Sequence, residues 1–373
     1  MFSQVNSEPI CGTITTGKDL KLFEKLKPVF KKYQSNFLSS KSTNSKSNSI
    51  AKNYIPIKAH IIRTSNGKGG ISEYELEEAI KDLNTTFSTV YLEFFLCNDL
   101  NYIDNNTFYN FKSSDEESLV ESNNVSNVIN IYFANHIINS SDEDICGYTY
   151  NKPNYDVIII QNECATNNSS LAHEVGHFLS LIHTHGADNN CFTKELVNGN
   201  NCSSTGDQIC DTPADPKLSK KNVNNFCRYI GTETDVNGDL YSPDPTNIMS
   251  YSMKGCRSQF SEQQLARMYA YYMSTKNYLT CGDSSDVADS YEPISSDDLD
   301  FKIYPNPISG DVVYAKPMNT TETFSYKISN LIGQTFSSGT LTNQPINVGH
   351  LASGTYLMTI SNNHSTIIKR IIK

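Results

Sequence analysis

The stretch Ala172–Gly186, AHEVGHFLSLIHTHG, holds four of the eight histidines in a chain of 373 residues. Read as a helix, it sends the imidazoles of His173 and His177 out of one face a turn apart, where both can grip one ion. Glu174, next to the first histidine, points elsewhere. Two neutral imidazoles and a free carboxylate are what metal-assisted hydrolysis of a peptide bond needs: an ion that acidifies water and polarises the carbonyl, and a base that takes the proton. Glu174 is the candidate base. A catalytic zinc takes three protein ligands at about 2.0–2.1 Å and keeps one position for water, so a third ligand is required. His183 is the nearest, but a helix continuing from His177 would carry it nearly two turns along the axis, out of reach. The helix is therefore expected to break between them. Glu195 is the ligand that a different zinc class would use, and His185, outside the ligand spacing, reads as a surface residue or a support for the ligands.

Three ordered motifs extend this reading: HEVGHFLSLIHT at His173–Thr184, GDQICDTPADP at Gly206–Pro216 and NIMSYSMKGCRSQFS at Asn247–Ser261. Over roughly residues 50–275 the chain resembles the pappalysin family of metzincin zinc metallopeptidases. The resemblance implies an α+β zincin-like fold with a mixed sheet and an active-site helix. It places Met249 in a tight turn beneath the histidines, Tyr251 beside the metal as an oxyanion stabiliser, and calcium near Asp207, Asp211, Thr212 and Asp215. Relatives usually carry glycine at the helix break, where this chain has Ser180, so a positive φ there comes at some cost. Cys11, in ICGT, resembles the latency cysteine of pro-segments of some members, whose thiolate takes the open zinc position. An ordinary disulfide partner is the competing assignment. Arg257 follows Cys256 where members that cut before basic residues have an acidic one, which implies a pocket favouring acidic or polar side chains and rejecting lysine and arginine. An exposed arginine is the plainer assignment.

A net charge of −10 argues against nucleic acid or an anionic membrane as partner. No stretch approaches the ~18 apolar residues of a membrane span. Ten cysteines without a CxxC pair point to disulfides in an oxidising, extracytoplasmic compartment. Cys256 is expected to tie its turn to Cys202, Cys210 or Cys227. The start, MFSQVNSEPICGTITTG, lacks a charged region followed by an apolar run, so an export signal is expected to have been removed.

Residues 1–50 read as a pro-segment and linker, with helical periodicity over Leu20–Tyr33 interrupted by Pro28 and a Ser/Lys/Asn tract from Ser39 to Ser49. The catalytic domain is expected over 51–282. A strand starts at Tyr54, a helix with a Ser72/Glu75 capping box covers Ile71–Val90, and further strands fall at Leu92–Cys97, Val128–Phe133 and Asp156–Gln161. Gly147–Tyr150 reads as an exposed edge strand able to pair with an extended substrate. Asp235, Asn237 and Asp239 suggest a second calcium loop without its closing glutamate. Ser261 caps a closing helix. After an acidic linker at 283–300, residues 301–373 change to short β-type runs. YPNP at Tyr304–Pro307, SNLIGQTF at Ser329–Phe336 and LASGTYLMTI at Leu351–Ile360 resemble the C-terminal sorting domain of type IX secretion, a small antiparallel β-sandwich handled by the export machinery. The combined expectation is a monomeric, secreted or surface-attached zinc endopeptidase acting on protein or peptide substrates and made as a latent precursor. The alternative is a surface adhesion protein with a structural zinc site.

Overall fold

The structure, a computed structural model, describes residues 9–42, 52–150, 155–187, 192–281, 301–306, 308, 310–317, 324–330, 333–341, 344–362 and 366–373. Residues 43–49 of the expected Ser39–Ser49 tract, the 283–300 linker and Cys191 lie outside the described residues. The chain forms two compact units, one built mainly from residues up to Leu279 and one mainly from Thr280–Lys373.

In the first unit the elements run β1 Ile10–Cys11, α1 Gly17–Ser42, β2 Asn53–Arg63, α2 Glu73–Thr86, β3 Leu92–Leu96, β4 Asn101–Asp104, α3 Asn106–Tyr109, β5 Asn110–Lys112, α4 Glu116–Asn123, β6 Ile129–Ala134, β7 His136–Ile138, β8 Ile145–Thr149, β9 Val157–Gln161, α5 Asn162–Ala165, α6 Ser170–Phe178 and α7 Glu262–Tyr271. The main sheet has the order β1-β8-β9-β6-β2-β3, with β4 also on β2. It is mixed: β6 and β9 are parallel, whereas β8 runs antiparallel to β9. Every residue of β6 (INIYFA) and β9 (VIIIQ) is buried, the composition of strands covered on both faces. The helix α2 carries the expected capping box, with Ser72 Oγ accepting from Glu75 N at 3.2 Å and the Glu75 carboxylate accepting from Ser72 N at 2.9 Å. Its buried face (Leu76, Ala79, Ile80, Leu83) packs toward α6.

The N-terminal segment differs from expectation in one respect. Helix α1 is not interrupted at Pro28 and continues to Ser42, into the stretch read as linker. A proline inside a helix removes a hydrogen bond and crowds the preceding turn, at about 3 kcal/mol. Three phenylalanines at successive seven-residue spacing offset that cost: Phe23, Phe30 and Phe37 are fully buried along α7, with Phe23 and Phe30 edge-on to Tyr271 and Phe37 against Tyr269 and Tyr91.

Beyond α6 the described chain has no further helix or strand of its own until α7, only isolated bridges such as Val223–Tyr229. Disulfides Cys202–Cys210 and Cys227–Cys256 hold this region, and Cys146–Cys164 joins β8 to α5. Of the three candidates, Cys227 is therefore the partner of Cys256. As expected, Ser261 caps α7, in a box with Gln264.

The second unit comprises β10 Phe301–Tyr304, β11 Val312–Pro317, β12 Ser325–Ser329, β13 Thr335–Thr340, β14 Ile346–Asn347, β15 Thr355–Ser361 and β16 Thr366–Ile372. They form two antiparallel sheets, β10-β11-β14 and β13-β12-β15-β16. Val313, Ile328, Met358, Ile360 and Ile371 are fully buried in the core these sheets share.

Candidate active site

The nine residues of α6 are all buried, and its two histidines are fixed by backbone carbonyls. His173 Nδ1 lies 2.7 Å from Ile248 O, and His177 Nδ1 lies 2.9 Å from Leu181 O. A carbonyl only accepts, so each Nδ1 carries the proton and each Nε2 is left with a bare lone pair. The helix ends at Phe178, and Ser180 takes φ 74° while its N–H bonds to His177 O. This left-handed turn, at the position expected to strain, swings the chain back. His183 Nε2 then comes within 3.0 Å of His177 Nε2, which is itself 3.1 Å from His173 Nε2.

This arrangement fits a metal ion. Ligands about 2.0–2.1 Å from a tetrahedral ion stand roughly 3.3 Å apart, close to the spacing seen. Without a cation, the lone pairs held by these tautomers face one another in a buried space. Burial above all disfavours charge on the three imidazoles: His177 is pushed down to about 4, and His173 and His183, which charge on His177 would also repel, fall well below the usual histidine value. Cys11 Sγ joins the same group, in which all the ligand atoms lie within 4.8 Å of one another. No other described set of three histidine, cysteine or acidic side chains converges as closely.

The support beneath is the turn Asn247–Tyr251. Asn247 Oδ1 accepts from Met249 N at 2.9 Å, and its amide donates to Gln264 Oε1 on α7 at 2.9 Å. Met249 is fully buried against α6. A Cβ at position 176 would stand 2.7 Å from Met249 Sδ, so glycine there gives the methionine room to approach the helix this closely. The Tyr251 ring lies 4.5 Å from that of His183 and 4.7 Å from that of His185. His185 is buried and stacks on His183, so it is not a surface residue.

Residues 9–13 cover the site. Strand β1 pairs in parallel with β8 (Ile10 with Ile145, Cys11 with Gly147), and Gly12 N bonds to Gly147 O at 2.8 Å. The edge expected to be exposed is thus buried, because this segment takes its donors and acceptors. Cys11 is buried and forms no disulfide. Burial and then the charge of Glu174 hold its thiol well above the ordinary cysteine value where no cation is present. Tyr251 Oη donates to Cys11 O at 3.2 Å. Thr13, which the sequence reading missed, donates from Oγ1 to Glu174 Oε2 at 3.0 Å and accepts from Thr149 N at 3.0 Å. Its one signal was its place two residues after the cysteine. Burial lifts the Glu174 carboxyl to about 7.

Arg257 is buried, not exposed: Nη2 donates to Ser170 Oγ at 2.9 Å and to Ser169 Oγ at 3.1 Å, while Nη1 lies 3.5 Å from His173 Nδ1. The acidic segment splits. Asp207, Thr212 and Asp215 are buried, with Thr212 Oγ1 donating to Asp207 Oδ1 at 2.9 Å. Asp211 instead turns to the start of α7, accepting from Ser261 Oγ at 2.6 Å and Gln263 N at 2.8 Å. Glu195 is buried away from the histidines, where Asp207 and Asp215 both act on its charge. Asp235 accepts from the amides of Val197, Asn237 and Asp239 at 2.8–3.0 Å, the pattern of a turn held by its own carboxylate.

Residues 123–272 match the family model described as pregnancy-associated plasma protein-A, a peptidase family. Over that stretch the chain is similar to the pappalysin metallopeptidases. Residues 302–373 match the secretion system C-terminal sorting domain. The chain is similar to proteins named extracellular metalloprotease from Arthroderma benhamiae and Trichophyton verrucosum, each 25% identical over 230 residues, spanning 56% of this chain and 68% of theirs. A third, from Colletotrichum graminicola, is 30% identical over 103 residues, covering 28% of this chain and 30% of its own. The protein is accordingly a zinc metalloendopeptidase, secreted or held at the cell surface. Among the described residues no helix is long and apolar enough to cross a membrane.

Proposed function

We propose that this chain is the latent precursor of a metzincin endopeptidase in which His173, His177 and His183 hold zinc and Glu174 is the general base. The observation that carries this reading is the convergence of three buried Nε2 atoms, two of them with Nδ1 bonded to a carbonyl, next to a carboxylate. When bound, zinc supplies Lewis acidity, polarising the scissile carbonyl and lowering the pKa of water toward about 7. Glu174 takes the proton of the attacking water at its carboxylate and returns it to the leaving amine. Tyr251, released from Cys11 O, donates its hydroxyl to the oxyanion. The backbone groups of Gly147 and Thr149, now used by residues 12 and 13, pair with an extended substrate. In the precursor, Cys11 closes the metal sphere and Thr13 occupies the base. We assign 1–50 as pro-segment, 51–282 as catalytic domain, 283–300 as linker and 301–373 as the sorting domain for type IX secretion.

A casein digest by the secreted, active enzyme tests the reading. A chelator is expected to abolish hydrolysis and added zinc to restore it, whereas full activity in the chelator would overturn the assignment.

We also assign the buried acidic cluster to calcium. Burial lifts Asp207 to about 7, Asp215 to about 6 and Glu195 to about 8, the last also through Asp207. Asp207 Oδ2 and Glu195 Oε2 have no hydrogen-bond partner among the described residues. Folded values above the unfolded ones mean that these groups favour folding fully below about pH 4 and lose that contribution as pH rises through about 6–8. Calcium-free protein is therefore expected to melt lower at pH 8 than at pH 5. Saturating calcium at pH 8 should add about 5–10 °C, from the roughly 2.7 kcal/mol of ligand linkage at 100 Kd. A melting temperature at pH 8 that ignores calcium would remove the assignment.

A further inference from the structure

Beside Glu174 the structure has a cavity of about 280 Å³ whose wall carries five cations, Lys217, Lys220, Lys221, Lys254 and Arg257, with Glu174 as its one carboxylate. This occurs in a chain with 40 acidic and 30 basic residues, so the positive wall opposes the overall charge. We propose that this cavity receives an acidic side chain of the substrate, so that the enzyme cuts next to aspartate or glutamate. The proposal rests on the peptidase reading above and extends it to a substrate class.

The cations are graded in depth. Arg257 is buried, its guanidinium fixed by the hydroxyls of Ser169 and Ser170 at the start of α6. Lys217 and Lys254 are partly buried, and the Lys217 ammonium lies 5.7 Å from the centre of the Tyr251 ring. Lys220 and Lys221 are exposed on the rim. A planar guanidinium set deep in a cavity matches a carboxylate fork, and rim ammonium groups raise the local concentration of an anion.

The walls are tied together without a ligand. The loop with Lys217–Lys221 and the loop with Lys254 and Arg257 meet in a cluster of Leu218, Val223 and Cys256, and the disulfide Cys227–Cys256 staples them. A pocket that does not have to be assembled on binding loses less of its binding energy to ordering. Its entrance is also in the right place. Pro9 and Ile10, which run along β8, line the same cavity. A substrate that replaces them on that edge passes over the opening, and a side chain flanking the scissile bond enters it.

The test combines cleavage and binding. The active secreted enzyme is given peptides differing only in the residues on either side of one bond. Aspartate or glutamate at one of these positions is expected to raise kcat/KM at least tenfold over asparagine or glutamine, and lysine or arginine to lower it. Between 0.05 and 0.5 M salt this advantage should shrink. The double variant Lys220→Glu/Lys221→Glu, on the exposed rim, should reduce the acidic preference several-fold. The acidic peptide should also bind Glu174→Gln protein more tightly than its amide counterpart. Cleavage with no acidic preference, or with a basic one, overturns the pocket while leaving the peptidase reading intact. Salt-sensitive acidic binding by a protein whose parent cleaves nothing supports the pocket and overturns the peptidase reading instead.

Discussion

Glu174→Gln is expected to retain zinc and lose hydrolysis by about 10³–10⁴-fold in kcat, the upper part of the range for removal of a general base. The amide keeps the side chain's volume and can still accept from Thr13 Oγ1, which bonds the carboxylate at 3.0 Å, so fold and latency contacts survive. What disappears is the ability to take a proton from water. No other carboxylate lines the adjoining cavity, so none can take over the proton transfer. The measurement is kcat on a quenched fluorescent peptide beside metal content by mass spectrometry. A variant with normal zinc and parental kcat would show that the base lies elsewhere. One that had lost zinc would show that Glu174 acts on the fold of the ligands.

The second large effect is release of latency. If Cys11 closes the metal site as proposed, Cys11→Ala in the intact chain is expected to free that position and to raise activity on the same peptide at least tenfold before any processing. Thr13→Val, close to isosteric, removes the hydroxyl that holds Glu174. A hydrogen bond to a charged group contributes about 1.5–3 kcal/mol, so this variant alone should shift the equilibrium toward the open site by roughly ten- to a hundredfold. The two should act together through one segment, because Thr13 N also bonds to Cys11 Sγ at 3.3 Å. The helix α1, with Phe23, Phe30 and Phe37 buried along α7, keeps the segment tethered, so neither change should detach it. Electrophoresis must show the chain still intact. If both variants remained as inactive as the parent, the cover over the site would have to be held by α1 and the β1–β8 pairing alone.

Much of the centre could be read from local pattern. The spacing of His173 and His177 encodes a shared helix face, and the need for His183 encodes a break after it. Serine at position 180 marks where that break costs backbone strain, and Ser180 does take a positive φ. Ser72 with Glu75 and Ser261 with Gln264 are capping boxes whose partners lie three residues apart, so they too follow from sequence. In α1, by contrast, local pattern misled: Pro28 is a helix breaker by itself, and only burial of the aromatic residues along α7 outweighs it.

By itself, then, the sequence specified which groups this protein offers: three imidazoles, a carboxylate, a methionine turn, and a cysteine-rich stretch followed by a β-unit. Each depends on intervals of a few residues, over which backbone geometry dictates direction. Only the tertiary structure decided what those groups face. Thr13 reaches Glu174 across 161 residues and Tyr251 reaches Cys11 across 240, and no interval in the chain specifies such a pairing. The same holds for the covered edge of β8, the choice of Cys227 for Cys256, and the burial of Arg257 in a wall of lysines. Those are set by how the sheet, α6 and the stapled loops close on one another, where burial and electrostatic complementarity between distant segments select the contacts.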